Sequence, residues 1–178
     1  PGNADRLFGE AIDSLLKWQL ASREGMLPPY DAALLGRECN LFPEWYVARH
    51  LALTLSSEQQ QALAGVVALL IARALAQPAV YVHRDYMPRN LMVTDPNPGV
   101  IDFQDAFVSW EEERVLDWTA RYWEKAKRER LPVNPDYSGF YRDFEWMGLQ
   151  RHLKVLGIFA RIHYRDGKRG YLEDAPRF

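Results

Sequence analysis

His83-Arg84-Asp85-Tyr86-Met87-Pro88-Arg89-Asn90, followed by Ile101-Asp102-Phe103, is the stretch that decides the fold of this 178-residue chain. An Asp is followed five residues later by an Asn, and twelve residues after that by a second Asp. Leu91-Met92-Val93-Thr94 and Val100-Ile101 read as short apolar strands, and the Asp95-Pro96-Asn97-Pro98-Gly99 between them is dense in turn residues. Antiparallel pairing puts the turn at one end and brings Asn90 and Asp102 together at the other. Strands of three or four residues are only about 10–13 Å long, so the unit is small. A carboxylate and an amide oxygen side by side make a hard-oxygen site of the kind Mg²⁺ prefers. Asp85, on the loop feeding the same end, is left to orient a substrate hydroxyl and accept its proton. That division of labour belongs to phosphoryl transfer.

Each residue also has a plainer reading. An Asp or Asn beside a turn commonly caps it or closes an Asx turn, and any one of the three alone would be read so. The order and spacing of all three, with His83 two residues before Asp85, favour the catalytic reading. His83 itself reads as structural, a buried histidine bracing the loop through its two ring nitrogens.

The stretch 82–106 resembles the catalytic and metal-binding loops of the aminoglycoside phosphotransferase family of the kinase-like superfamily. Within that family, VHRDYMPRNLMV with GVIDFQDA is similar to the bacterial anomeric sugar kinases of cell-wall recycling. Leu41-Phe42-Pro43-Glu44-Trp45-Tyr46-Val47 and the run from Gln150 to Arg161 resemble the same enzymes, so the likeness covers most of the chain. It implies an α+β, mostly α fold. The expected architecture is a protein-kinase-like C-terminal lobe over 1–178, whose small β-hairpin carries a catalytic loop at 82–90 and a metal loop at 101–105. The implied reaction is ATP- and Mg²⁺-dependent phosphorylation of the anomeric hydroxyl of N-acetylmuramic acid or N-acetylglucosamine, in peptidoglycan recycling. Asp85 is then the catalytic base, and Asn90 and Asp102 are the metal ligands.

Met87 stands where protein kinases carry a lysine, so Arg89 or Arg84 is the candidate cation for the nucleotide phosphates. Asp105, Arg151, His152 and Trp45 are the candidates for binding the sugar. Arg151, His152 and Lys154 form a basic cluster that could pair with a lactyl carboxylate, and Trp45 or Tyr46 could stack on a pyranose ring. The bland alternatives are a solvated helix face with a core-facing His152, and aromatics belonging to the core. No Gly-rich phosphate loop or V-A-I-K-like strand occurs in these residues, which implies a C-lobe without its N-lobe. Ala106 runs straight into Phe107-Val108-Ser109-Trp110, where the family continues with a Gly/Pro turn, so a loop is expected to be missing between 106 and 107. Two other functions fit the same residues: phosphotransfer to an aminoglycoside or another small alcohol, and a catalytically silent kinase-like binding domain.

Composition narrows the class. Hydrophobic residues make up 48% of the chain and aromatics 13%, enough for one globular domain with an ordinary core. A net charge of −2 lacks the basic footprint of a nucleic-acid partner. The partners expected are an amino sugar and a nucleotide. The single Cys39 suits a reducing cytoplasm and reads as a buried structural thiol. No apolar run approaches the length of a membrane span.

Helices are predicted over 5–20, over 31–41 with an interruption near Pro43 and a continuation from 44 to 51, and from a Ser57/Gln60 capping box to just before Pro78. Val80–Val82 reads as a short strand. After the hairpin, helices are predicted over 111–130 and 137–163, the latter broken at Gly148 or Gly157, before a turn at 166–170.

Overall fold

Apolar residues recur at helical spacing along most of the chain, and in the computed structural model the described residues are mostly helical, with one small hairpin among them. The residues described are 2–83, 86, 90–101, 112–173 and 175. Among them the order is α1 (Gly2–Leu20), α2 (Ala32–Leu41), a π-helix (Phe42–His50), α3 (Ser57–Leu75), β1 (Leu91–Met92), β2 (Gly99–Val100), α4 (Glu112–Arg128), α5 (Tyr137–Asp166) and the short α6 (Gly170–Glu173). None of the described helices is long and apolar enough to cross a membrane. The chain forms two compact units, one from 1–28 and 78–137, the other from 29–77 and 138–178.

In the first unit α1 packs on α4. Leu16, Ala126 and Leu131 form the buried centre, with Ile12, Tyr122, Val80 and Val133 around it. Phe8 stacks on Trp118 at 4.0 Å between ring centroids. Two polar links tie the same helices: Tyr122 Oη donates to Gln19 Oε1 at 2.7 Å, and Lys125 Nζ meets Asp13 at 2.6 Å. The surface ion pair contributes little, and the half-buried phenol bond contributes more because its partner is partly shielded from water.

In the second unit α2 packs on α3 and on the π-helix, and Leu35, Cys39, Leu70, Val155 and Ala160 are buried. Asp31 caps α2 by accepting from Leu34 N at 2.8 Å. Cys39 is fully buried, and loss of hydration is the main cause that pushes its thiol pKa up, with a smaller rise from Glu38. The expected result is no reaction with a maleimide in the native protein at neutral pH, and one equivalent on unfolding. Prompt native labelling would place the thiol at the surface.

Several local expectations shift. The capping box lies one residue earlier than predicted: Gln59 N donates to Ser56 Oγ at 3.2 Å, and Ser56 N donates to Gln59 Oε1 at 2.9 Å. Pro43 does not interrupt the helix. It sits in the first turn of the π-helix, where its missing N–H loses least, and the wider winding shows in the bond from Leu51 N to the Tyr46 carbonyl five residues back, at 2.9 Å. Val80–Val82 is not a strand, because the Tyr81 amide is taken by the Ser22 hydroxyl at 2.7 Å. α5 runs unbroken through Gly148 and Gly157. β1 is two residues long rather than the four predicted, and β2 has the predicted two residues but starts one position earlier, at Gly99.

Candidate active site

One face of α1 and the residue just beyond it hold the segment around the predicted catalytic loop. Ala11, Ser14 and Trp18 follow one another at spacings of three and four, which places them on one helical face. At the start of the segment, Tyr81 N donates to Ser22 Oγ. His83 is 3% exposed, its ring edge-on to Trp18 at 5.3 Å and to Tyr86 at 5.8 Å. Tyr86 Oη donates to the Ala11 carbonyl at 2.6 Å. Burial is the main cause raising the Tyr86 phenol pKa, with Ser14 opposing it by a hydrogen bond, so the hydroxyl stays protonated and donating at neutral pH. His83 is thus buried, as its sequence context suggested, and the contacts that hold it include the ring packing against Trp18 and Tyr86.

Asn90 follows, 5% exposed, immediately before β1. Leu91 pairs with Val100 and Met92 with Gly99, antiparallel. The Asn90 carbonyl extends that ladder by accepting from Ile101 N at 2.9 Å. The turn end is set by Thr94 Oγ1 donating to the Pro96 carbonyl at 2.8 Å, and by Asn97 Nδ2 donating to Glu10 on α1. A Cβ added at Gly99 would lie 2.9 Å from Thr94 Cγ2, so any larger residue there would have to displace the Thr94 side chain.

The hairpin therefore brings Asn90 beside Ile101, the residue that precedes Asp102 in sequence. Asp85, Asp102, Asp105, Arg84 and Arg89 lie outside the described residues, as does 107, where a missing loop was expected. Asn90 fits a Mg²⁺ site by chemistry: its amide supplies a hard oxygen, held in a buried position at the open end of the hairpin.

The candidate sugar-binding residues Trp45, Arg151 and His152 belong to the second unit. Trp45 is half-buried in the π-helix, with the Arg49 guanidinium 5.4 Å from its ring centroid. Arg151 and His152 adjoin on α5, Arg151 half-buried and His152 facing solvent rather than the core. Desolvation, then the Arg151 charge, pushes the His152 imidazole below its usual pKa, which biases it toward the neutral form at pH 7.

Lys154 is committed elsewhere. Its Nζ meets Glu38 Oε1 at 3.1 Å, the two side chains being only 13% and 9% exposed. Tyr30 Oη and Gln150 Nε2 also donate to Glu38 Oε2, the latter at 3.4 Å. Removing one partner of a buried ion pair leaves a charge uncompensated, at a cost of about 3–5 kcal/mol. Lys154→Met is therefore expected to destabilise the protein by about 3 kcal/mol, less the part that Tyr30 and Gln150 still offset, and adding Glu38→Gln should restore much of it. Denaturant unfolding of the two variants checks this; an unchanged midpoint in Lys154→Met would show the pair to be dispensable.

Sequence reasoning missed Tyr86 and Glu38. Both carry only a weak signal, a polar group one residue from a stronger one: Asp85 in the first case and the lone Cys39 in the second.

Comparison with known proteins adds the wider context. The sequence profile of the phosphotransferase enzyme family matches residues 1–133. An N-acetylmuramate/N-acetylglucosamine kinase of Pseudomonas putida is 53% identical over 192 residues, covering 99% of this chain and 57% of the relative. The protein of the same name from Pseudomonas aeruginosa is 51% identical, covering 100% and 57%. The one from Neisseria meningitidis serogroup B is 53% identical, covering 97% and 56%. The chain thus spans a little over half the length of these curated relatives.

Proposed function

The chain belongs to the phosphotransferase enzyme family, and on that premise we propose that it carries the catalytic and metal loops of a kinase-like C-terminal lobe, in an enzyme that phosphorylates N-acetylmuramate and N-acetylglucosamine at the anomeric hydroxyl. One observation carries the reading: relatives bearing that kinase name match nearly all of this chain at half identity or better. ATP is the phosphoryl donor, and the reaction takes place in the cytoplasm.

Asp85 orients the sugar hydroxyl and accepts its proton. Asn90 and Asp102 hold Mg²⁺, which when bound neutralises charge on the nucleotide phosphates. Arg89 is the candidate cation for the phosphates, and Asp105, Arg151, His152 and Trp45 are each individual candidates for contacting the sugar. The buried setting of Asn90 and the pairing of its carbonyl with Ile101 support this reading, because a ligand amide must be held still to serve a metal that demands near-ideal octahedral geometry.

The test is a mass-resolved transfer assay on the full-length source protein with Mg-ATP, offering N-acetylmuramate, N-acetylglucosamine and kanamycin in parallel. A sugar 1-phosphate is the expected product. Phosphorylated kanamycin alone would keep the chemistry and overturn the acceptor. No product from any acceptor would leave a silent binding domain as the better reading.

A further inference from the structure

We propose that the Tyr86 hydroxyl is a positioning device for catalysis: by donating to the main-chain carbonyl of Ala11, it anchors the residue next to Asp85 in sequence to helix α1. The inference rests on the kinase reading above. In sequence Asp85 stands between two residues that α1 holds from opposite sides of the motif. His83 is fixed by its edge-on packing against Trp18, and Tyr86 by the 2.6 Å bond to Ala11. Ala11 and Trp18 are seven residues apart, two helical turns on one face, so a single rigid element sets both anchors.

A carbonyl within a helix already serves the helical ladder, and Tyr86 uses its second lone pair. Burial keeps the phenol protonated, so the donor is present throughout the neutral range. His83 packs against Tyr86 as well as Trp18, so loosening the phenol loosens both flanks of Asp85 together. The energetic contribution of one hydrogen bond to folding is modest, but turnover depends on geometry far more steeply, a misplacement of about 1 Å costing up to ~100-fold.

Tyr86→Phe in the full-length enzyme keeps the ring and removes the clamp. The expected result is a kcat about 10-fold lower with KM for sugar and ATP changed less than about twofold. Hydrogen exchange in peptides covering 82–90 should quicken, with α4 unaffected. Tyr122→Phe is the control, removing a half-buried phenol bond to Gln19 on the same helix. It should lower the melting temperature and leave kcat alone, as a purely structural tyrosine would. If Tyr86→Phe matches the unaltered enzyme in kcat, or behaves like Tyr122→Phe, the positioning role is overturned. If the unaltered enzyme transfers no phosphate to any acceptor, it is the kinase reading that fails, and unchanged exchange at 82–90 would separately overturn the clamp.

Discussion

Replacing Asp85 with Asn is expected to lower turnover by roughly 10²–10⁴-fold, the usual contribution of a positioned general base. The substitution keeps size and hydrogen-bonding reach but removes the proton acceptor, so the loss should fall on kcat rather than on KM. The fold should barely notice. His83, two residues before it, packs on Trp18, and Tyr86, directly after it, bonds to the Ala11 carbonyl, so both sides of the position keep anchors of their own. Steady-state kinetics on the full-length protein, with a thermal melt in parallel, makes the check. Near-normal turnover would remove Asp85 from the mechanism; a collapsed melt would give it a structural role instead.

The second large effect concerns stability. Gly157 lies where α5 passes the end of α2, and a Cβ added there would sit 2.4 Å from the Leu41 carbonyl carbon and 2.6 Å from its oxygen. These are main-chain atoms, which cannot rotate aside. Alanine is favoured over glycine inside a helix by about 1 kcal/mol, so propensity alone argues for a more stable variant. Overpacking costs about 1–3 kcal/mol where a side chain can yield, and more where only backbone can. The steric effect therefore wins, and Gly157→Ala is expected to lose about 2 kcal/mol or more. Gly148 on the same helix has open space where its Cβ would go, so Gly148→Ala should gain up to about 1 kcal/mol. Denaturant midpoints of the two variants should move in opposite directions. Equal shifts would mean that α5 does not approach Leu41 so closely.

The same glycine shows where reading the sequence stops. Both Gly148 and Gly157 look like helix breakers in a one-dimensional pattern, yet α5 continues through them, because 30 residues of helix dilute the local cost of either. One of the two is there for close packing, and only its neighbour across the unit reveals which. Pro43 misleads in the same way, since whether a proline breaks a helix depends on which turn it occupies. Val80–Val82 has the composition of a strand but no strand partner among the described residues, its Tyr81 amide being claimed by a serine 59 residues earlier in the chain. The hairpin, by contrast, was legible, because turn residues act within a few positions and their chemistry is local.

The sequence by itself determined the hairpin with its antiparallel pairing, the position of Asn90 at its open end, the helical character of most of the chain, and the order in which Asp85, Asn90 and Asp102 occur. These follow from spacing and short-range backbone preference. Only the tertiary structure decided what holds the loop and what the basic cluster does: Tyr86 is bonded to a carbonyl 75 residues away, and Lys154 is paired with Glu38 rather than offered to a ligand. Such pairings depend on which helical faces meet and which polar groups are then denied water, and neither is encoded in the periodicity of any one segment.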